Sequence, residues 1–190
     1  ESLHNPVLNP IMYAITSLGN AGIFWIILAV AMLFICPQKY RKIGLTVGIA
    51  LILSLIFCNG IMKNMWARVR PFNVDTTFEN LYGVFNGIND WSFPSGHTSA
   101  SFAAALAIIL WDRKKGTVAV IMAALIAFSR LYLTVHYPTD VLASLVLGSL
   151  YGVAGYFITR LIMKKSQKAR KVFAEGESYK LLFSKAGEND

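Results

Sequence analysis

Apolar residues in this chain come in blocks, and the blocks are close to the length of a membrane crossing. Stretches 18–36, 43–62, 97–111, 117–135 and 141–163 are almost free of charge. A helix needs ~20 such residues to cross a ~30 Å hydrocarbon layer, and 97–111 is the shortest of the five. With 55% hydrophobic and 15% charged residues, the chain departs from a soluble domain, in which about a quarter of residues are charged. Residues 5–20 are too short and too interrupted to span. Ile11, Ile15 and Leu18 share a helical face there and Pro10 suits a helix start, so the segment reads as a helix lying in the interface. The expected fold is all-α: a polytopic membrane helical bundle of about five transmembrane helices plus an N-terminal interfacial helix, six helices in all.

The basic residues set an orientation. Lys39, Arg41 and Lys42 lie between the first two blocks, Arg113, Lys114 and Lys115 between the third and fourth, and Lys164, Lys165, Lys168, Arg170 and Lys171 after the fifth. Alternating crossings put all three groups on one side, which the positive-inside bias makes cytoplasmic. This accounts for the net charge of +8 better than nucleic-acid binding, for which no reading motif is present. Loop 64–96 falls on the other side. Its Trp66, Phe72, Phe78, Tyr82, Phe85, Trp91 and Phe93 suit the headgroup layer, and their density argues against a disordered loop. Cys36 and Cys58 lie at different depths, so no disulfide is expected between them. No secretory signal is visible, and the chain begins at Glu1 rather than Met, so the native start is expected to lie upstream. One integral membrane domain over 1–172 is expected, followed by a polar, mobile cytoplasmic tail over 173–190.

Three groups of polar residues fall at the non-cytoplasmic end. Lys63, Arg68 and Arg70-Pro71 follow the second block, against the positive-inside bias. Lys63 and Arg70 would share a face if the helix continued, but Pro71 disfavours helix at Arg70. Alone, these cations also suit side chains reaching to lipid headgroups. Pro94-Ser95-Gly96-His97 opens the third block: Ser95 suits an N-cap, Gly96 allows close approach to the backbone, and a helix start offers free N–H groups to an anion. Alone, His97 also suits a plain surface position. Ser129-Arg130 closes the fourth block, with His136 and Asp140 four residues apart beyond it. Ser129 shares an ideal helical face with His136, whereas Arg130 needs its length or an early helix end to come round. A carboxylate beside an imidazole fixes one ring nitrogen as donor and leaves the other basic, although an ordinary interfacial His–Asp pair fits too. Only His97, His136 and Asp140 could ligate a metal, and three nearby cations would repel one. The cluster fits phosphate, which Arg holds through paired donors.

Together the three groups resemble the type 2 phosphatidic acid phosphatase superfamily. Its pattern is Lys, six residues, then Arg-Pro; Pro-Ser-Gly-His; and Ser-Arg followed by His and, four on, Asp. Here these are Lys63…Arg70-Pro71, Pro94-Ser95-Gly96-His97 and Ser129-Arg130…His136…Asp140. The resemblance covers about residues 10–163 and lacks no motif residue. Five blocks and an interfacial helix depart from the six spans common in larger members, which bears on the amino terminus. The resemblance implies a metal-independent phosphatase with a covalent phosphohistidine. His136 is then the nucleophile, Asp140 its orienter, and His97 the group that protonates the leaving oxygen and then helps activate water. Lys63, Arg70, Ser95, Gly96 and Arg130 would hold the phosphoryl oxygens. Arg68 is outside the pattern and reads as a headgroup or second-phosphate contact, or as plain surface.

The implied activity is hydrolysis of a lipid phosphate or diphosphate, such as undecaprenyl diphosphate, phosphatidylglycerol phosphate or phosphatidic acid, at the outer face of the plasma membrane. The expected partners are that lipid and the bilayer, with no cofactor, nucleic acid or obligate protein partner. A lipid-to-lipid phosphotransferase would use the same residues. A non-catalytic lipid-phosphate carrier would need the cations but not the His–Asp pair.

Overall fold

The computed structural model describes residues 3–184 and is helical, with no strand among the described residues. Its six longer helices are α1 (Leu8–Leu18), α2 (Ile23–Phe34), α3 (Arg41–Leu53), α4 (Gly96–Ile109), α5 (Arg113–Tyr132) and α6 (Pro138–Lys165). Helix α3 continues as a π-helical stretch, Ser54–Met62, and a last α-turn, Lys63–Trp66. Among the described residues, three helical runs are long and apolar enough to cross a membrane: Gln38–Val74, Arg113–Tyr132 and Pro138–Lys165. Gly96–Ile109 is apolar but shorter.

At the amino terminus, where the sequence predicts an interfacial helix and then a crossing over 18–36, the chain forms two short helices bent by 42°. The break is local: Ala21 and Gly22 take left-handed φ values of 49° and 67°, which Gly adopts without strain. Helix α1 packs on α5, and Met12 joins Leu81, Tyr132, Leu133 and Val135 in a small core over the site end. The tail differs from expectation as far as it is described. Tyr179 Oη donates to Leu33 O at 2.5 Å, and Arg41 lies over the Tyr179 ring. Residues 185–190 lie outside the described residues.

Helix α4 is central, packed most extensively against α6 and α5. Ala103, Ala104, Ala105 and Ala107 are fully buried, and small side chains let neighbouring helices approach closely. Gly152 of α6 lies so near α4 that a Cβ there would sit 2.7 Å from the Ala103 carbonyl oxygen. Buried polar pairs tie the helices together: Trp25 Nε1 donates to Ser101 Oγ at 2.9 Å, the Ser54 and Ser99 hydroxyls are 2.8 Å apart, and Trp111 Nε1 donates to Thr46 Oγ1 at 2.9 Å. Such groups are costly in an apolar interior unless paired. Outward, Ile27, Phe34, Ile52, Val118, Ile121, Leu150 and Phe157 are exposed, a surface that lipid covers and water would not. Cys36 and Cys58 are both free thiols.

Gly152→Ala should lower stability by about 1–3 kcal/mol through overpacking against backbone. Gly48→Ala should leave it unchanged or slightly higher, because nothing lies within 4 Å of the added carbon and Ala is the better helix former. Melting temperatures in detergent check both.

Candidate active site

The site forms where four chain breaks meet. At the end of α3, Ala67 turns left-handed with φ 43°, so the helix stops before Arg70, as Pro71 suggests. Arg70 is extended, and Pro71 starts a new turn, Pro71–Val74. At the end of α5 the helix stops two residues after Arg130, and Thr134 takes φ 53°. The chain then winds back, Val135 N donating to Arg130 O at 3.2 Å. This early end brings Arg130 and His136 to one cavity, an outcome that ideal helical spacing does not give. Ser129, on the ideal face, instead spends its hydroxyl on Ile126 O at 2.7 Å.

One cavity of about 620 Å³ is lined by Lys63, Arg70, Gly96, His97, Arg130 and His136, among others. Asp140 is not on its wall but stands behind His136, fully buried. Ser95 caps α4: its Oγ accepts from Thr98 N at 3.4 Å and from Thr98 Oγ1 at 3.0 Å, and its N–H donates to Ser144 Oγ at 2.7 Å. Its own polar groups are thus engaged, and the helix start faces the cavity through Gly96 and His97. A Cβ at residue 96 would sit 2.6 Å from Asn59 Oδ1, so a side chain there would have to displace the Asn59 amide.

Arg70 is the stitch of the site. Its Nη1 donates to Val135 O at 2.8 Å, its Nε to Asp90 O at 3.0 Å and its Nη2 to Asp90 Oδ1 at 2.6 Å. Nη1 also lies 3.3 Å from His136 Nε2. A guanidinium can only donate, so Nε2 carries a lone pair and the ring proton sits on Nδ1. That nitrogen faces Asp140 Oδ2 and Ser92 Oγ, each at 3.5 Å. Arg130 is buried, its Nη1 donating to Thr16 Oγ1 at 2.6 Å, while its Nε is buried without a hydrogen-bond partner. His97 Nε2 lies 3.0 Å from Asn20 Oδ1, and a Cβ on Gly19 would strike its ring at 2.5 Å. The α1–α2 break therefore seats His97.

Several residues were missed by the sequence reading. Asp90 pairs with both Lys63 and Arg70. Burial alone would raise the Asp90 pKa, but the Lys63 ammonium and the Arg70 guanidinium hold it below the ordinary carboxylate value. Arg68, read as a headgroup, phosphate or surface residue, instead donates to Asp140 Oδ1 at 2.7 Å. Ser92 Oγ donates to Asp140 Oδ2 at 2.5 Å. The loop aromatics also divide: Phe72 and Phe85 stack with centroids 4.2 Å apart against the small core, while Trp66, Tyr82 and Trp91 stay exposed.

The PAP2 superfamily model matches residues 43–164, a range that contains every motif residue of the site. This chain belongs to the PAP2 superfamily. It is 28% identical over 95% of its length to a lipid A 4'-phosphatase of Bacteroides thetaiotaomicron, covering 82% of that protein. It is 36% identical over 80% of its length to the undecaprenyl-diphosphatase BcrC of Bacillus subtilis, covering 75% of it. Among solved structures, it resembles a transmembrane PAP2-type phosphatidylglycerolphosphate phosphatase from Bacillus subtilis with a TM-score of 0.61 and 26% identity, over 86% of this chain and 80% of that one. Aquifex aeolicus LpxE shares the fold at a TM-score of 0.63, with 20% identity over 81% of this chain and 88% of that one. The PAP2 chain described here is thus a multi-pass membrane protein and a lipid phosphatase.

Burial pushes the His136 pKa down to about 3, the nearby Arg130, Arg70 and Lys63 charges adding to the effect and Asp140 opposing it. The ring is therefore neutral at pH 7. In the unfolded chain it would bind a proton near pH 6.5, so between those values the unfolded state holds the extra proton and stability falls as pH falls. Nitrogen-15 NMR of labelled histidine should show His136 still neutral at pH 5, with half-protonation near 6.5 as the contrary result.

Proposed function

We propose that this protein hydrolyses a polyprenyl diphosphate or a related lipid phosphate at the non-cytoplasmic face of the plasma membrane, through a phosphohistidine on His136 and without a metal ion. The observation that carries the reading is the composition of the 620 Å³ cavity. One end holds the cations and His136. The other runs between α2 and α3 along Ile26, Ile52 and Leu55, which are also exposed on the apolar surface. A lipid could therefore keep its tail among hydrocarbon chains while its phosphate meets Lys63, Arg70 and Arg130.

The geometry supports a two-step reaction. The Nε2 lone pair attacks phosphorus, the bond from phosphorus to the leaving oxygen breaks with its electrons on that oxygen, and His97 supplies the proton. The imidazole, now phosphorylated and positive, keeps its Nδ1 proton toward Asp140. Water activated by His97 then attacks the phosphoryl group, phosphate leaves and Nε2 recovers its lone pair. Phosphoryl transfer depends mainly on positioning and on neutralising the equatorial oxygens. Lys63, Arg70, Arg130 and the α4 start at Gly96 and His97 supply that, with Ser95, whose own polar groups are engaged, capping the helix behind them.

Five crossings, α2 to α6, with α1 at the interface, fit the distribution of charge. The basic groups around Lys39–Lys42, Arg113–Lys115 and Lys164–Lys171 all lie at the end away from the site, where Lys42 lies over the Trp111 ring and Lys115 over the Tyr40 ring. That end is read as cytoplasmic, with residues 1–172 as the membrane domain and the tail beyond it on the same side. Hydrolysis of a polyprenyl diphosphate is favoured by relatives named undecaprenyl-diphosphatase at 36% and 31% identity. A second reading, removal of the lipid A 4'-phosphate, is favoured by the match along 95% of the chain.

Purified protein in detergent, with chelator present, should release phosphate from undecaprenyl diphosphate faster than from lipid A, and His136→Ala should lower the rate at least about a thousandfold. Preference for lipid A would select the second reading. Labelled phosphate passing to an acceptor lipid would indicate a transferase, and full activity of His136→Ala would remove the proposed mechanism.

A further inference from the structure

We infer that Arg68 and Ser92 are positioning residues of the reaction, acting on His136 through Asp140. The inference rests on the reading of His136 as nucleophile and adds two residues to it.

Asp140 is fully buried, and both of its oxygens are occupied. Oδ1 accepts from Arg68 Nη1 at 2.7 Å. Oδ2 accepts from Ser92 Oγ at 2.5 Å and from Tyr137 N at 3.0 Å, with His136 Nδ1 at 3.5 Å. The two outer residues also hold each other, since Ser92 N donates to Arg68 O at 2.8 Å. Arg68 is fixed in turn by Thr139 Oγ1 at 2.7 Å and by lying 3.9 Å from the centroid of the Tyr137 ring. Residue 68 thus grips both carboxylate oxygens, one through its guanidinium and the other through Ser92.

A buried carboxylate without a partner takes up a proton or turns away. Arg68 removes both options from the side remote from the imidazole, and it does so from outside the cavity. Ser92 fixes Oδ2, and its own oxygen lies 3.5 Å from Nδ1, in place to share the ring proton with Asp140. The pair therefore fixes the His136 tautomer that presents Nε2 to phosphorus. Neither side chain lines the cavity, so neither binds the phosphate. Their loss is expected in turnover and not in affinity.

The test uses purified full-length protein, farnesyl diphosphate as substrate and inorganic phosphate as competitive inhibitor. Arg68→Met and Ser92→Ala should each lower kcat about tenfold to a hundredfold, the scale of one charge-assisted or buried hydrogen bond. KM and the inhibition constant for phosphate should stay within about twofold, and Arg68→Lys should recover most of the lost kcat. Because both act through Asp140, Arg68→Met added to Asp140→Asn should cost little beyond Asp140→Asn alone. Wild-type kcat in both single variants, or full additivity in the double variant, would overturn the inference. So would a loss confined to KM, which would make Arg68 a substrate contact. If Arg68→Met does not fold, Ser92→Ala carries the test. An active His136→Ala control would instead remove the reading beneath it, so the two failures are distinct.

Discussion

Three cations brought together at the end of an apolar bundle repel one another and lose hydration, and much of the remaining site consists of contacts that make the placement tolerable. Asp90 answers Lys63 and Arg70 at once. Arg70 spends its other donors on Asp90, Trp91 and Val135 carbonyls. Arg130 donates to Thr16 Oγ1, while its buried Nε has no hydrogen-bond partner among the described residues. The arrangement is a charged hollow whose chemistry suits the tetrahedral anion proposed for it.

The fold reaches this hollow by interrupting its helices rather than by extending them. The bend between α1 and α2 lays backbone against His97, and the left-handed turn at Ala67 releases Arg68 and Arg70 from helical spacing. The stop after Tyr132 folds His136 back beside Arg130. The π-helical stretch of α3, a feature that recurs at functional sites, lies beside the start of α4 and precedes Lys63. Each of these breaks is bonded or packed on its neighbours, as a membrane setting demands of irregular backbone.

Much of this was legible in the sequence, for physical reasons. Apolar blocks report lipid exposure directly, and the helices fall where the blocks do. Lys63, Arg70, Gly96, His97, Arg130 and His136 were legible because ionisable and turn-forming residues interrupt apolar runs. Asp90 and Ser92 were not, since they lie in a loop without periodicity and acquire meaning only through residues twenty or more positions away. Arg68 was misread because exposure could be inferred from its position and its partner could not. The separation of α1 from α2 near residue 20 was legible too, whereas the left-handed turn at Ala21 and Gly22 that makes it was not. The seat of Tyr179 beside Leu33 and Arg41 is a tertiary contact with no local signature.

The claim beneath all of this is that one anion sits between His136 and the three cations. A structure determined with orthovanadate, a mimic of the pentacoordinate phosphoryl state, tests it most directly. The account predicts vanadium bonded to Nε2 of His136, with its oxygens on Lys63, Arg70, Arg130 and the N–H groups opening α4. Vanadium bonded to His97 instead, or bound outside the cavity with His136 unoccupied, would contradict it.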